Sequence, residues 1–90
     1  MPMKLIKTCD ACPEQYDVIN PDTDVMLGYI RLRWGRFRVT CPDFGGEEVI
    51  CEQISDDPIG IFPDEHRDQY LARALNAISK WHETGRKVND

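Results

Sequence analysis

The sequence predicts an α+β fold. It is a four-stranded antiparallel β-meander with one C-terminal α-helix packed on one face, two layers in a single domain over residues 1–90. Three observations carry this. Residues 15–54 alternate apolar and polar side chains in short runs separated by turn chemistry, the period-2 pattern of half-buried strands. Residues 63–84 instead repeat apolar side chains at helical spacing. With 90 residues, 41% of them hydrophobic, the chain has enough apolar surface for one modest core.

Residues 1–14 read as an irregular N-terminal arm carrying Cys9-x-x-Cys12-Pro13. Gln15 to Ile19 alternates and suits a short strand. Asn20-Pro21-Asp22-Thr23-Asp24 is a turn, with proline and short polar side chains that bond their own backbone. Val25 to Arg33 and Arg36 to Cys41 are the strongest strands, joined at Trp34-Gly35. Pro42-Asp43-Phe44-Gly45-Gly46 breaks the pattern, Glu47 to Ile54 resumes it, and 55–60 form a loop. The helix follows. Pro63 suits its first turn and Asp64 and Glu65 its positive end. Leu71, Ala74, Leu75, Ile78 and Trp81 or His82 form its stripe, and Gly85 terminates it.

One register makes these strands agree. Ile19 pairs with Val25 across the first loop, and Cys41 with Val49 across the third. Tyr16, Val18, Met26, Ile30, Leu32, Phe37, Val39, Cys41, Val49 and Cys51 then share one apolar face, which the helix covers. A tight turn at Gly45-Gly46 is the competing register and turns Ile50 and Ile54 inward. In the preferred register the opposite face carries Asp17, Tyr29, Thr40, Glu48, Ile50, Glu52 and four arginines.

Those arginines are the chief sign of function. The chain holds 11 Lys and Arg against 16 Asp and Glu, a formal net charge of −5. Four of the basic side chains, Arg31, Arg33, Arg36 and Arg38, nevertheless fall within eight residues. A turn at Trp34-Gly35 sets Arg33 opposite Arg36 and Arg31 opposite Arg38, and like charges placed so destabilise a sheet. Either nearby carboxylates offset them, with Glu52 opposite Arg38 and Glu48 or Asp17 serving others, or an anionic partner does. Arginine grips phosphate and carboxylate with a planar fork of donors, and Tyr29 is placed to stack on a base. The acidic balance argues against broad attraction to polyanions.

Cys9 and Cys12 have the spacing of half a tetrahedral zinc site, and Cys41 and Cys51 are the candidates for the other half. Against this, Cys41 and Cys51 have no knuckle spacing, and the preferred register makes them core residues. A thioredoxin-type role would need a helix opening at the first cysteine, which Pro13 does not provide. His66 and His82 have no cysteine or serine at a catalytic spacing, and no glycine-rich phosphate loop or paired catalytic carboxylates occur. A non-enzymatic protein is expected. No apolar run suits a signal peptide or a membrane span, so the cysteines are expected reduced in a cytoplasm.

Residues 9 to 80 resemble a group of short, largely uncharacterised proteins of bacteriophages and prophages. The motifs are Cys9-Asp10-x-Cys12-Pro13-Glu14-Gln15-Tyr16-Asp17-Val18, Gly28-Tyr29-x-Arg31-Leu32-Arg33-x-Gly35 and Pro42-Asp43-x-Gly45-Gly46-Glu47, with Tyr70-Leu71 and Ala77-Ile78 in the helix. No activity comes with the resemblance. It implies a bacterial cytoplasm and a binding role, such as blocking a host defence protein in the manner of anti-CRISPR inhibitors, or sequestering a small anionic ligand. The expected contacts are Tyr29, Arg31, Arg33, Arg36 and Arg38. The alternatives are a nucleic-acid-binding regulator using the same face and a small zinc-stabilised module. A homodimer through an open edge, at Gln15–Ile19 or Glu47–Ile54, fits any of them.

Overall fold

The computed structural model describes residues 2–9, 14–56 and 62–84. The predicted class holds: an antiparallel sheet with one C-terminal helix on one face. The sheet has five strands, however, and not four. β1 (Lys4–Cys9), β2 (Glu14–Ile19), β3 (Met26–Arg33), β4 (Arg36–Cys41) and β5 (Glu47–Gln53) lie in sequence order, followed by α1 (Arg67–Thr84).

The extra strand is β1, drawn from what reads as an arm. It pairs with β2 along Lys4↔Ile19, Leu5↔Val18, Ile6↔Asp17 and Lys7↔Tyr16. Its alternation is weak because only Leu5 packs against the core while Ile6 faces out, as an edge strand permits. Lys4 and Lys7 are exposed there, which discourages pairing with a further strand. The open edges are therefore β1 and β5, and β2 is covered.

The central hairpin has the expected register, Arg33↔Arg36, Leu32↔Phe37 and Arg31↔Arg38. Trp34 (φ 56°) and Gly35 (φ 74°) both adopt the left-handed conformation, which matches a two-residue turn to the twist of its strands. The flanking hairpins differ from expectation, each by a bulge. Val18 pairs with Gly28 but Ile19 with Met26, so Leu27 is the extra residue and enters the core in place of Met26. Val39 pairs with Ile50 but Thr40 with Glu48, making Val49 the extra residue. Neither anticipated pairing of β5 is adopted, although Ile50 and Ile54 do pack against the core as the competing register expected. Ile50 and Glu52 stand on the helix side and Cys51 on the arginine side, the reverse of the preferred reading. Alternation cannot register a bulge, because one extra residue inverts every side chain beyond it.

The core lies between sheet and helix. Val18, Ile30, Leu32, Phe37, Val39 and Cys41 meet Ala74 and Ile78, all fully buried. Phe62, Phe37 and Tyr70 form an aromatic cluster with centroids 5.3–5.5 Å apart. Burying a phenylalanine such as Phe62 contributes on the order of 2–3 kcal/mol. Gly28 lets the helix close on the sheet, since a Cβ there would lie 2.6 Å from Ile78 Cδ1.

The helix begins at Arg67, four residues later than Pro63. Residues 64–66 form a turn instead, closed by the His66 N–H on the Pro63 carbonyl, and the residues on either side of it are held by Glu14. This carboxylate is buried on the helix face. It accepts hydrogen bonds from the Tyr16 hydroxyl, the Phe62 N–H (3.0 Å), and Arg67 Nε (2.9 Å) and Nη2 (3.2 Å). Arg67 also donates to Asp64 (2.5 Å) and to the Phe62 carbonyl (3.1 Å). Burial alone pushes the Glu14 carboxyl up, but the donors and charge of Arg67, with Tyr16 and Phe62, outweigh it and hold the group below the usual range. Farther along, Arg73 pairs with Glu52 at 2.6 Å and lies over the Phe37 and Tyr70 rings. His82 Nε2 sits 2.7 Å from the Leu27 carbonyl. Gly85, the expected terminator, lies outside the described residues.

Candidate anion-binding groove

The face away from the helix presents the four arginines as two cross-strand rows, Arg31 with Arg38 and Arg33 with Arg36. Same-face neighbours along a strand are about 7 Å apart. Together with Trp34, Glu48, Cys51 and Gln53 they line an open groove of about 550 Å³.

Charge in the groove is poorly matched. Arg38 Nε lies 2.7 Å from Glu48 Oε2, yet its N–H is misaligned for a hydrogen bond. This is a half-exposed pair that contributes little. Arg36 Nη1 lies 3.3 Å from Cys51 Sγ. Among the described residues no carboxylate forms an ion pair with Arg31, Arg33 or Arg36. Of the partners expected from sequence, Glu48 serves Arg38, while the other two are engaged elsewhere or misplaced. Glu52 has turned to the helix face, where Arg73 holds its carboxyl below the usual range. Asp17 sits opposite Tyr29, beyond the arginine rows.

The groove's turn end is braced. Ile54 N donates to the Gly35 carbonyl (2.9 Å), and Gln53 Nε2 donates to the carbonyls of Trp34 (3.1 Å) and Ser55 (2.7 Å). The Trp34 indole is thereby carried on a fixed turn with 65% of its surface exposed. Sequence reading assigned Trp34 to the turn alone. The signal for more was present, since a two-residue turn favours Asn, Asp or Gly and a tryptophan there has another reason.

Tyr29 does not line the groove. It sits beyond the Arg31–Arg38 row, its hydroxyl donating to Gln15 Oε1 (2.7 Å) and its ring meeting the edge of Phe44 at 6.0 Å. Tyr29, expected as a contact beside the arginines, thus stands on the same face as a half-buried residue packed on its neighbours.

Of the proposed zinc ligands, Cys9, Cys41 and Cys51 are not brought together. Cys41 is buried on the helix face, where burial and the Glu47 charge push its thiol up to about 12. Cys51 is exposed on the opposite face. Cys9 lies on β1, four strand spacings from β5, on the order of 19 Å. Cys12 lies outside the described residues. Among the described residues no cluster of His, Cys, Asp and Glu is arranged to hold a metal, and no helix is long and apolar enough to cross a membrane. In comparison with known proteins, the chain matches no family model, and no curated protein or solved structure is significantly similar to it.

Proposed function

We propose that this is a non-enzymatic binding protein whose arginine groove takes an anionic partner. The observation that carries this reading is the charge mismatch in the groove, four guanidiniums with Glu48 as the single carboxylate among the described lining residues. A sheet holding two like-charged cross-strand pairs gives up stability, and an anion in the groove restores it. The resemblance to phage and prophage proteins supplies the setting. There the protein works inside a bacterial host as an antagonist of antiviral defence, blocking an acidic host surface or sequestering a small anion.

The nucleic-acid reading of this face is weaker. Tyr29, its intended stacking residue, is occupied by Gln15 and Phe44, and the chain is acidic overall. For the zinc-module reading, Cys9, Cys41 and Cys51 form no ligand set among the described residues.

The test is charge reversal with folding monitored. Arg33→Glu and Arg31→Glu/Arg38→Glu chains are compared with the parent for binding to poly-aspartate at two salt concentrations. The same chains are expressed in bacteria carrying defence systems, and phage plating is scored. The expected result is loss of salt-sensitive binding and of any protection of the phage, with native circular dichroism. Full activity in folded reversed chains sinks the groove as the site.

A further inference from the structure

Resting on that reading, we infer that the groove takes a nucleotide bearing two phosphate groups, its base on the Trp34 indole and its phosphates on the two arginine rows. Four features lead there. A volume of about 550 Å³ suits a small molecule, whose pockets run to roughly 300–1,000 Å³. The guanidiniums come as two cross-strand pairs, and a pair of planar forks matches one phosphate. The rows stand about 7 Å apart at the backbone, a separation the long arginine stems can close. The Arg33–Arg36 row, which pairs with no carboxylate among the described residues, lies beside Trp34, so unpaired positive charge and the exposed aromatic face are neighbours.

The groove also limits the length of its ligand. Glu48 lines the groove beside Arg38, and the row beyond the Arg31–Arg38 pair carries Asp17 and Glu48 in place of arginines. A long polyanion running along the strands would meet both carboxylates. A nucleotide of one or two units meets Glu48 alone, at the Arg38 end. The turn end is already fixed by Gln53 and Ile54, so the ordering that accompanies binding falls on the arginine side chains rather than the backbone.

The test uses the full chain in magnesium-free buffer, titrated calorimetrically with ADP, inorganic pyrophosphate, adenosine, a single-stranded oligonucleotide and poly-aspartate. ADP is expected to bind at least about fivefold more tightly than pyrophosphate, the low end of what stacking a base on an aromatic ring provides. Adenosine alone is expected not to bind. Trp34→Asn keeps a turn-compatible residue and removes the indole. It should bring ADP down to the pyrophosphate level, while Arg33→Glu abolishes both. Equal binding of ADP and pyrophosphate, unchanged in Trp34→Asn, overturns the nucleotide assignment and leaves the anion groove standing. An oligonucleotide bound much more tightly than ADP overturns it in favour of nucleic acid. If neither small anion binds, the assignment fails. Arg33-dependent capture of poly-aspartate then preserves the broader reading, and its absence removes both.

Discussion

Glu14 shows how far one side chain's consequences reach. Its carboxylate is buried with four donors around it, and two of them belong to Arg67, 53 residues away. Glu14→Gln leaves Arg67 beside a neutral group. The expected cost is about 3 kcal/mol, the low end for breaking a buried pair because Arg67 is a quarter exposed. Urea denaturation of the two chains checks this. Because the Glu14 carboxyl is lowered in the folded state, its stabilisation is present above its ordinary value of 4.5 and is lost as pH falls through the folded value. Glu52 acts in the same direction. Glu14→Gln should therefore flatten the loss of stability below about pH 4.5. At the alkaline end, burial and the neighbouring Glu14 raise the Tyr16 hydroxyl from 10.0 to about 12, and burial raises the Cys41 thiol from 9.0 to about 12. Their contributions are complete below the ordinary values and drain as pH climbs toward 12. Gly28→Ala places a methyl 2.6 Å from Ile78. An overpacking loss of about 1–3 kcal/mol is expected, partly recovered in the double variant with Ile78→Val. Additive losses in that cycle would show that the two sites do not meet.

Among the elements, the central hairpin was the most legible. Two left-handed positions at Trp34 and Gly35 leave no room for slippage, and the arginine rows follow directly. Trp34→Asn should stabilise the hairpin by roughly 0.5–1 kcal/mol, since asparagine tolerates that conformation better. A higher Tm together with lost ligand binding would separate the indole's role in the groove from any role in folding. Arg33→Glu places a carboxylate opposite Arg36 and should likewise stabilise, by roughly 0.2–1 kcal/mol. The flanking hairpins were less legible because Leu27 and Val49 are apolar bulge residues that read as ordinary strand members. The late helix start was hidden for a different reason. Glu14 and Arg67 are far apart in sequence, and no local rule couples a strand's first residue to a helix's first turn. β1 was hidden by its own weak alternation.

At the scale of the molecule the sheet divides labour between its faces. One is sealed by the helix, and the other carries the groove, so the groove's side chains can change without disturbing Ile30, Leu32, Phe37 or Val39. This separation explains why the sequence could reveal the arginine face while leaving its partner unnamed. Four alternating arginines are visible in one dimension, whereas Cys51, Gln53 and Trp34 join them only through the β5 register and the turn. An acidic molecule with one basic groove should also show ligand-linked stability. Millimolar pyrophosphate is expected to raise the Tm of the parent chain by mass action and to leave that of Arg33→Glu unchanged.

The position of the helix after the strands in chain order matters for how the protein is made. At about 5–20 residues per second on the ribosome, the stretch from the end of β5 to the end of α1 takes roughly 2–6 s to synthesise. Until it is complete the strands lack the helix that covers their apolar face, and until Arg67 is made Glu14 has no arginine to meet. The nascent chain is most open to aggregation and to chaperone capture in that window. A chain stopped at residue 56 is expected to be insoluble, and adding back the helix in the same reading frame is expected to restore solubility.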